Sequence, residues 1–356
     1  MKILITGASG FIGSFLCEEG LKRGMETWAG MREHSSRRWL QNEKLNFAFL
    51  DMTKPEQLKE QLAKYKEKIG KWNVVIHAAG ATKCLHSEDF FKNNFDCTRN
   101  LVTALQEMDM MPEQFLYLSS LSVLGPVREN MVNDDDYEEM KNDDTPQPNT
   151  AYGESKVKSE QWLLSTFSTF STDSTFSTFS TNNSKLTIFR PTGVYGPREK
   201  DYFIMAKSIK QHVDFAVGYK KQIITFVYVR DLVSAIFAAI GKGDVANGKI
   251  YAVSDGRNYS SRAFSDLIQK ELGVKNVLHI KAPLWFLKAV CSVSEAFSHL
   301  TGKMTALNND KYNIMKQRNW KCDITPLQHD LGYDPQWQLE RGVKECMEWY
   351  KNEGWL

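Results

Sequence analysis

The chain has 356 residues, of which 42% are hydrophobic and 25% charged, and a formal net charge of +2. That composition is ordinary for a globular protein and excludes fibrous and disordered classes. The near-neutral balance offers no electrostatic basis for nucleic-acid binding. Six cysteines (Cys17, Cys84, Cys97, Cys291, Cys322, Cys346) are scattered with no C-x-x-C pair, which argues against a zinc site or a disulfide framework.

The first thirteen residues carry the strongest local signal. Ile3, Leu4 and Ile5 read as a buried strand that breaks into Gly7, Gly10 and Gly13. A helix pattern then runs from Phe11 to Arg23. This order points backbone N–H groups and a positive helix end at a pyrophosphate. Gly7 is expected to make the tight turn, Gly10 to let backbone approach the phosphates, and Gly13 to bring helix and strand together. The spacing is G-x-x-G-x-x-G rather than G-x-G-x-x-G. A strand that starts at once leaves no room for a signal peptide, and no apolar run reaches the ~18 residues needed to span a bilayer. The expected location is the cytoplasm.

Further strands are predicted at Glu26–Met31, Phe47–Leu50, Val74–His77, Phe115–Ser119 and Leu186–Arg190. Helices are predicted between them at Pro55–Lys68, Cys97–Met108 and Tyr152–Leu164. The alternation predicts an α/β fold with a doubly wound parallel sheet. Ile223–Val229 and Lys249–Val253 read as later strands, and the chain from Tyr259 onward reads as mainly helical. The expected division is a dinucleotide-binding domain over 1–190 and 223–256 and a smaller, mainly helical substrate domain over 191–222 and 257–356.

Ser165–Asn182 stands apart as six Ser-Thr-x triplets. A period of three fits neither helix nor strand. The favoured reading is a duplicated surface loop, which costs little entropy to lengthen. The alternative is a partner or membrane contact through Phe167, Phe170, Phe176 and Phe179.

Two patterns carry chemistry. In Tyr152-Gly-Glu-Ser-Lys156 a phenol and an ammonium share a helix face. A nearby ammonium, together with a cationic nicotinamide, is expected to lower the tyrosine pKa. In Phe115-Leu-Tyr-Leu-Ser-Ser-Leu-Ser-Val-Leu-Gly125 a strand ends in the hydroxyls of Ser119, Ser120 and Ser122. Ligands of parallel sheets sit beyond such strand ends.

Together these patterns resemble the extended short-chain dehydrogenase/reductase family of NAD(P)-dependent epimerases, dehydratases and dehydrogenases, with a Rossmann-type fold. The resemblance also rests on Val75-Ile-His-Ala-Ala-Gly80, Asn94, Arg190-Pro-Thr-Gly-Val-Tyr-Gly-Pro197, Tyr228-Val-Arg-Asp231 and Leu331-Gly-Tyr-Asp-Pro335. It implies Tyr152 as general acid/base, Lys156 on the nicotinamide ribose, and Ser120 as the catalytic hydroxyl with Ser122 as runner-up. It implies a cofactor site of Gly7, Gly10, Phe11, Ile12, Gly13, Arg32, Asp51, Met52, Ala78, Ala79, Gly80, Tyr152, Lys156 and Pro191, and no metal. Such proteins often dimerise through the helix bearing the tyrosine, which makes a homodimer possible, although that helix leads straight into the triplet repeat, which could interfere.

Two departures narrow the expectation. The usual acidic ribose ligand at the end of strand two is replaced by Met31 and Arg32, with Ser35, Arg37 and Arg38 behind. Arginines bind a 2′-phosphate through charge-assisted hydrogen bonds, so NADP is favoured over NAD. Ile224 stands seven residues before Asp231, where nucleotide-sugar members carry a pyrophosphate-binding arginine, unless Arg198 or Arg230 substitutes. In that respect the segment resembles the 3β-hydroxysteroid dehydrogenase and dihydroflavonol reductase groups. The expected activity is hydride transfer to or from a secondary alcohol or ketone. The alternatives are a nucleotide-sugar epimerase or dehydratase and a non-catalytic NADP-binding protein. The apolar pattern Pro283–Phe297, with Trp285, Phe286 and Leu287, is read as core, with a pocket cover or a membrane contact as alternatives.

Overall fold

The computed structural model describes residues 1–133, 136–168, 184–302 and 307–356. Seven parallel strands form the central sheet: β1 (Lys2–Thr6), β2 (Glu26–Met31), β3 (Asn46–Phe49), β4 (Val74–His77), β5 (Gln114–Leu118), β6 (Lys185–Pro191) and β7 (Lys249–Val253). Their order is β7-β6-β5-β4-β1-β2-β3. The order reverses between β1 and β4, which places a ligand crevice at the carboxyl ends of those two strands.

Both faces of this sheet are covered, which explains the unbroken apolar strands. Ile3 and Ile5 pack into one core with Leu16, Ile76 and Phe189. Leu4 between them packs into a second core with Trp28, Val75, Phe115 and Tyr117. The helices are α1 (Phe11–Lys22), α2 (Pro55–Ile69), α3 (Cys97–Glu107) and α4 (Ala151–Phe167). Pro55 at the first position of α2 suits a site whose N–H has no helical partner. Helix α4 starts where Thr150 Oγ1 accepts from Gly153 N at 3.0 Å.

Ile223–Val229 is not one strand. It divides into Ile223–Ile224, paired with Tyr259–Ser260, and Phe226–Tyr228, paired with Gly193–Tyr195. Thr225 breaks it by donating its hydroxyl to Trp320 O at 2.7 Å, while its carbonyl accepts from Thr192 Oγ1 at 2.8 Å. Three further helices matter for the cleft and its surroundings: α5 (Asp201–Lys210), α6 (Leu284–Thr301) and α7 (Asn309–Lys316). A parallel pair, Val213–Val217 with Leu278–Ala282, lies between them in sequence. Asp231 ties its motif to the two residues after Pro335, accepting from Gln336 N at 3.1 Å and Trp337 N at 2.8 Å.

The pattern over Pro283–Phe297 is not core. Leu287 and Cys291 are buried, whereas Trp285 is 72% and Phe286 49% exposed. Most of the triplet repeat, including Phe170, Phe176 and Phe179, lies outside the described residues. Phe167 ends α4 and packs on Phe115, with ring centroids 5.6 Å apart. The six cysteines are all free.

Candidate functional site

A cleft of about 1200 Å3 lies beyond the carboxyl ends of β1 and β4. Its walls include every residue of the expected cofactor site, together with Ser120. At one end the fit is made by backbone. Gly7 has φ +68°, and a Cβ there would stand 2.8 Å from Ala79 Cα. A Cβ on Gly13 would stand 2.1 Å from Gly7 O, so only glycine lets α1 start this close to β1. Gly10 is less constrained, with Gly7 O at 3.2 Å from its notional Cβ. The start of α1 therefore faces the cleft with free N–H groups and a partial positive charge.

The basic segment after β2 contributes less than its composition implies. Arg32 and Ser35 line the cleft. Arg37 instead stacks over Phe47 at 4.5 Å, and Arg38 stacks over Trp39 and pairs with Glu353. For Asp51, burial acts to raise the carboxyl pKa. Hydrogen bonds from Thr53 and the charges of Lys54 and Arg32 outweigh it and hold the group below its ordinary value.

Helix α4 delivers Tyr152 and Lys156 to the cleft wall. The buried Lys156 ammonium donates to Leu118 O at 2.8 Å and lies 4.8 Å from the Tyr117 ring centroid. Burial pulls its pKa down to about 8, with Glu160 acting the other way. Burial pushes the Tyr152 phenol up to about 12, with the neighbouring Ser120 hydroxyl acting the other way. The expected lowering of Tyr152 by Lys156 is therefore not what these residues produce by themselves. Ser120 lines the cleft, whereas Ser122 is buried behind it and donates its hydroxyl to Ser120 Oγ at 2.9 Å. That geometry separates the two candidate serines into a front and a supporting hydroxyl.

Several positioning groups were not assigned roles from sequence. Asn94 sits in a π-helical turn, Phe91–Asp96, a distortion common at functional sites. Its Oδ1 accepts from Ala81 N at 2.7 Å, and its Nδ2 donates to Ser155 Oγ at 2.9 Å. It thus ties the loop after β4 to α4. Gly80 is required beside it, because a Cβ would stand 2.9 Å from Asn94 Oδ1 and 3.3 Å from Lys156 Nζ. The buried Glu160 accepts both Arg190 Nε (3.0 Å) and Nη2 (2.6 Å), fixing α4 against β6. Nearness in sequence signals none of these contacts.

The other end of the cleft is built by the C-terminal elements. Ile204, Met205, Phe215, Leu307, Ile314 and Met315 give it an apolar wall. Asp201 pairs there with Lys83 and, at 3.1 Å, with Lys311. Asp310 accepts from Ala151 N at 3.2 Å and Tyr152 N at 3.3 Å, so α7 caps the first turn of α4. Ile224, Arg198 and Arg230 do not line the cleft. Arg198 donates to Ser14 and Glu18, and Arg230 to Glu345. Trp285, Phe286 and Leu287 are also outside it. Among the described residues, no cluster of His, Cys, Asp and Glu has metal-binding geometry.

The residues present fit a nicotinamide dinucleotide. The glycine cradle leaves no room for side chains, and the buried Ser119 hydroxyl lines the cleft with no partner among the described residues.

Comparisons with known proteins agree with this architecture. The 3-beta-hydroxysteroid dehydrogenase of Mycolicibacterium neoaurum is 24% identical over 98% of this chain and 91% of its own length. The UDP-N-acetyl-alpha-D-glucosaminuronate decarboxylase of Bacillus cytotoxicus is 24% identical over 98% of both. In fold, the chain matches a dTDP-glucose 4,6-dehydratase from Streptomyces venezuelae at TM-score 0.75 and 18% identity, covering 100% of this chain and 98% of that one. Residues 3–254 match the model of the NAD dependent epimerase/dehydratase family. The glycine cradle at the end of β1 and the cleft it opens are thus those of an enzyme, and the chain belongs to the NAD dependent epimerase/dehydratase family.

Proposed function

We propose that the protein is an NADP-preferring oxidoreductase acting on an uncharged, partly apolar secondary alcohol or ketone. The observation that carries this reading is the apolar wall of Ile204, Met205, Phe215, Ile314 and Met315 at the far end of the cleft. No arginine lines that end among the described residues, and Arg198 and Arg230 are held elsewhere. Lys83 and Lys311 line that end but are both paired with Asp201, and a substrate diphosphate that fails to win a charged partner there loses about 1.5–3 kcal/mol.

In this reading residues 1–190 and 223–256 bind the cofactor, while 191–222 and 257–356 bind substrate. The nicotinamide, when bound, supplies or takes the hydride. Gly7, Gly10 and Gly13 hold the diphosphate against α1, Ala78–Gly80 and Pro191 flank the nicotinamide half, and Asp51 and Met52 flank the adenine. Arg32 binds the 2′-phosphate. Ser120 fixes the substrate oxygen, supported from behind by Ser122. Tyr152 exchanges a proton with that oxygen. Lys156 holds the ribose and, with the positive charge of an oxidised nicotinamide, favours the phenolate that burial alone disfavours.

A nucleotide-sugar epimerase or dehydratase is the second reading. It is favoured by the two lysines, Lys83 and Lys311, which meet at Asp201 in the same end of the cleft. Calorimetry separates the two. With NADPH saturating, an apolar ketone should bind and UDP-sugars should not. Micromolar binding of a UDP- or dTDP-sugar, with no response to any ketone, reverses the ranking.

A further inference from the structure

Helix α6 presents its apolar side outward. Leu287, Cys291 and Ser298 turn inward and are buried. At about 100° per residue, Trp285, Phe286, Ala289, Val293, Phe297 and Leu300 share an outward arc of about 120°. Of these, Trp285 is 72%, Val293 70% and Leu300 86% exposed. Lys288 lies on the flank of this arc and is exposed.

The strand pair that leads into α6 continues the same character. Phe215 and Ile280 are register partners, so they project from one face, and Leu278 joins them two residues away. All three are exposed, Phe215 at 63% and Leu278 at 62%. Pro283 connects this strand to α6 directly, and Leu284 lies beside Gly218 at the end of the partner strand. Val213 and Phe215 also line the cleft, so the cleft opens beside this face.

Charge indicates what covers it. The segments 200–221 and 275–302 carry eight lysines against Asp201, Asp214 and Glu295, in a chain whose total is only +2. Asp214 is buried and spent on Arg262 and His279. Lys220 and Lys288 are exposed beside the apolar residues, while Lys281 projects from the opposite face of its strand and lies over Tyr219. Aromatic and aliphatic side chains flanked by lysine suit an anionic lipid surface, where the apolar groups enter the interface and the ammonium groups meet headgroups. Among the described residues no helix is long and apolar enough to cross a membrane, so the contact is peripheral.

We infer that α6 and the strand pair before it form a docking face for an anionic membrane surface. The inference does not depend on which substrate the cleft takes. Its test is co-sedimentation of the full chain with phosphatidylcholine vesicles, with and without phosphatidylglycerol. The protein should sediment with the anionic vesicles and be released as salt rises. Trp285→Ser with Phe286→Ser should reduce partitioning at least ~10-fold. Val293→Ser with Leu300→Ser, at the other end of the helix, should do the same. Lys220→Glu with Lys288→Glu should remove the preference for anionic lipid. Unchanged circular dichroism and melting temperature establish that each variant is folded. Three results overturn the inference: no sedimentation with either vesicle, sedimentation that folded variants match, or a wild-type dimer that the Trp285→Ser/Phe286→Ser variant dissociates, which assigns the face to a second copy of the chain.

Discussion

At the Gly7 end of the cleft the wall is backbone, set by glycines spaced three apart, whereas at the Asp310 end it is side chains brought from distant parts of the chain. Lys83 reaches Asp201 across 118 residues, and Lys311 reaches the same carboxylate across 110. The first kind of wall tolerates almost no substitution, because a Cβ meets main chain that has nowhere to move. The second kind tolerates many, because packing of roughly the right volume suffices. A family that keeps one cofactor and varies its substrate is what this division of construction allows. Tyr152 stands where the two ends meet.

Tyr152→Phe is the largest break expected. It keeps the ring that packs edge-on against Phe90 with centroids 6.0 Å apart, and removes the hydroxyl proposed to exchange the proton. Turnover should fall by roughly 10²–10⁴-fold, the usual contribution of a positioned acid or base. Cofactor affinity should stay within about twofold of wild type, since the variant keeps the ring and leaves Lys156 on Leu118 O. Single-turnover absorbance of the reduced cofactor measures the first, and fluorescence titration the second. Residual turnover near wild type would hand the proton to another group. Gly13→Ala tests the backbone wall. Its Cβ would lie 2.1 Å from Gly7 O, so the start of α1 must shift, and cofactor affinity should drop by more than ~10-fold, about 1.4 kcal/mol.

The same contrast explains what was legible in the sequence. Strands β1, β2, β4 and β7 fall at the residues their apolar runs predict, because a strand buried on both faces needs an unbroken apolar stretch. The glycine cradle was legible because its constraint is local. Asn94 is legible only as part of the family resemblance, and Glu160 and Asp310 not at all, because the partners of all three lie 13 to 159 residues away. The outward side of α6 reads as core in the sequence for a related reason. Periodicity shows that a helix has an apolar stripe, but not which way the stripe turns.

The Arg32→Ala variant sharpens the cofactor end. Wild type is expected to bind NADPH at least ~10-fold more tightly than NADH, about 1.4 kcal/mol, and the variant should lose most of that difference. Arg37 and Arg38 are engaged with aromatic rings, so alanine there should change the ratio much less. Equal wild-type affinities would remove the basis for the NADP assignment.

Lys156 gives the cofactor end a pH dependence of smaller size. Burial lowers its pKa from 10.5 to about 8. Its native pKa is therefore below its unfolded value, and between about pH 8 and 10.5 the unfolded chain binds more protons than the native one. Stability from this group accordingly rises with pH through that window. Affinity for an anionic cofactor runs the other way, because binding favours the ammonium. It should weaken above about pH 8, by at most tenfold per pH unit, and Lys156→Gln should flatten the dependence. A wild-type affinity that is level from about pH 7 to about pH 9.5 would mean that Lys156 does not titrate there.

The smallest effect expected is at the contact by which Asp310 of α7 meets the start of α4. Asp310 accepts from Ala151 N and Tyr152 N at 3.2 and 3.3 Å, long for charge-assisted hydrogen bonds. Thr150 already caps the same helix with its own side chain at 3.0 Å. Asp310→Ala should therefore cost only about 1 kcal/mol of stability, the ordinary value of a helix cap, and cofactor affinity should barely move. The informative readout is the balance of KM and kcat. If Asp310 does no more than cap α4, both constants stay near wild type once the protein is folded. If it sets where Tyr152 stands relative to a substrate held by α5 and α7, kcat falls several-fold while cofactor affinity does not, and Asp310→Asn, which keeps an acceptor, restores part of the loss. The second pattern would make the junction between the two ends, and not either wall alone, the part of the molecule that couples substrate identity to proton transfer.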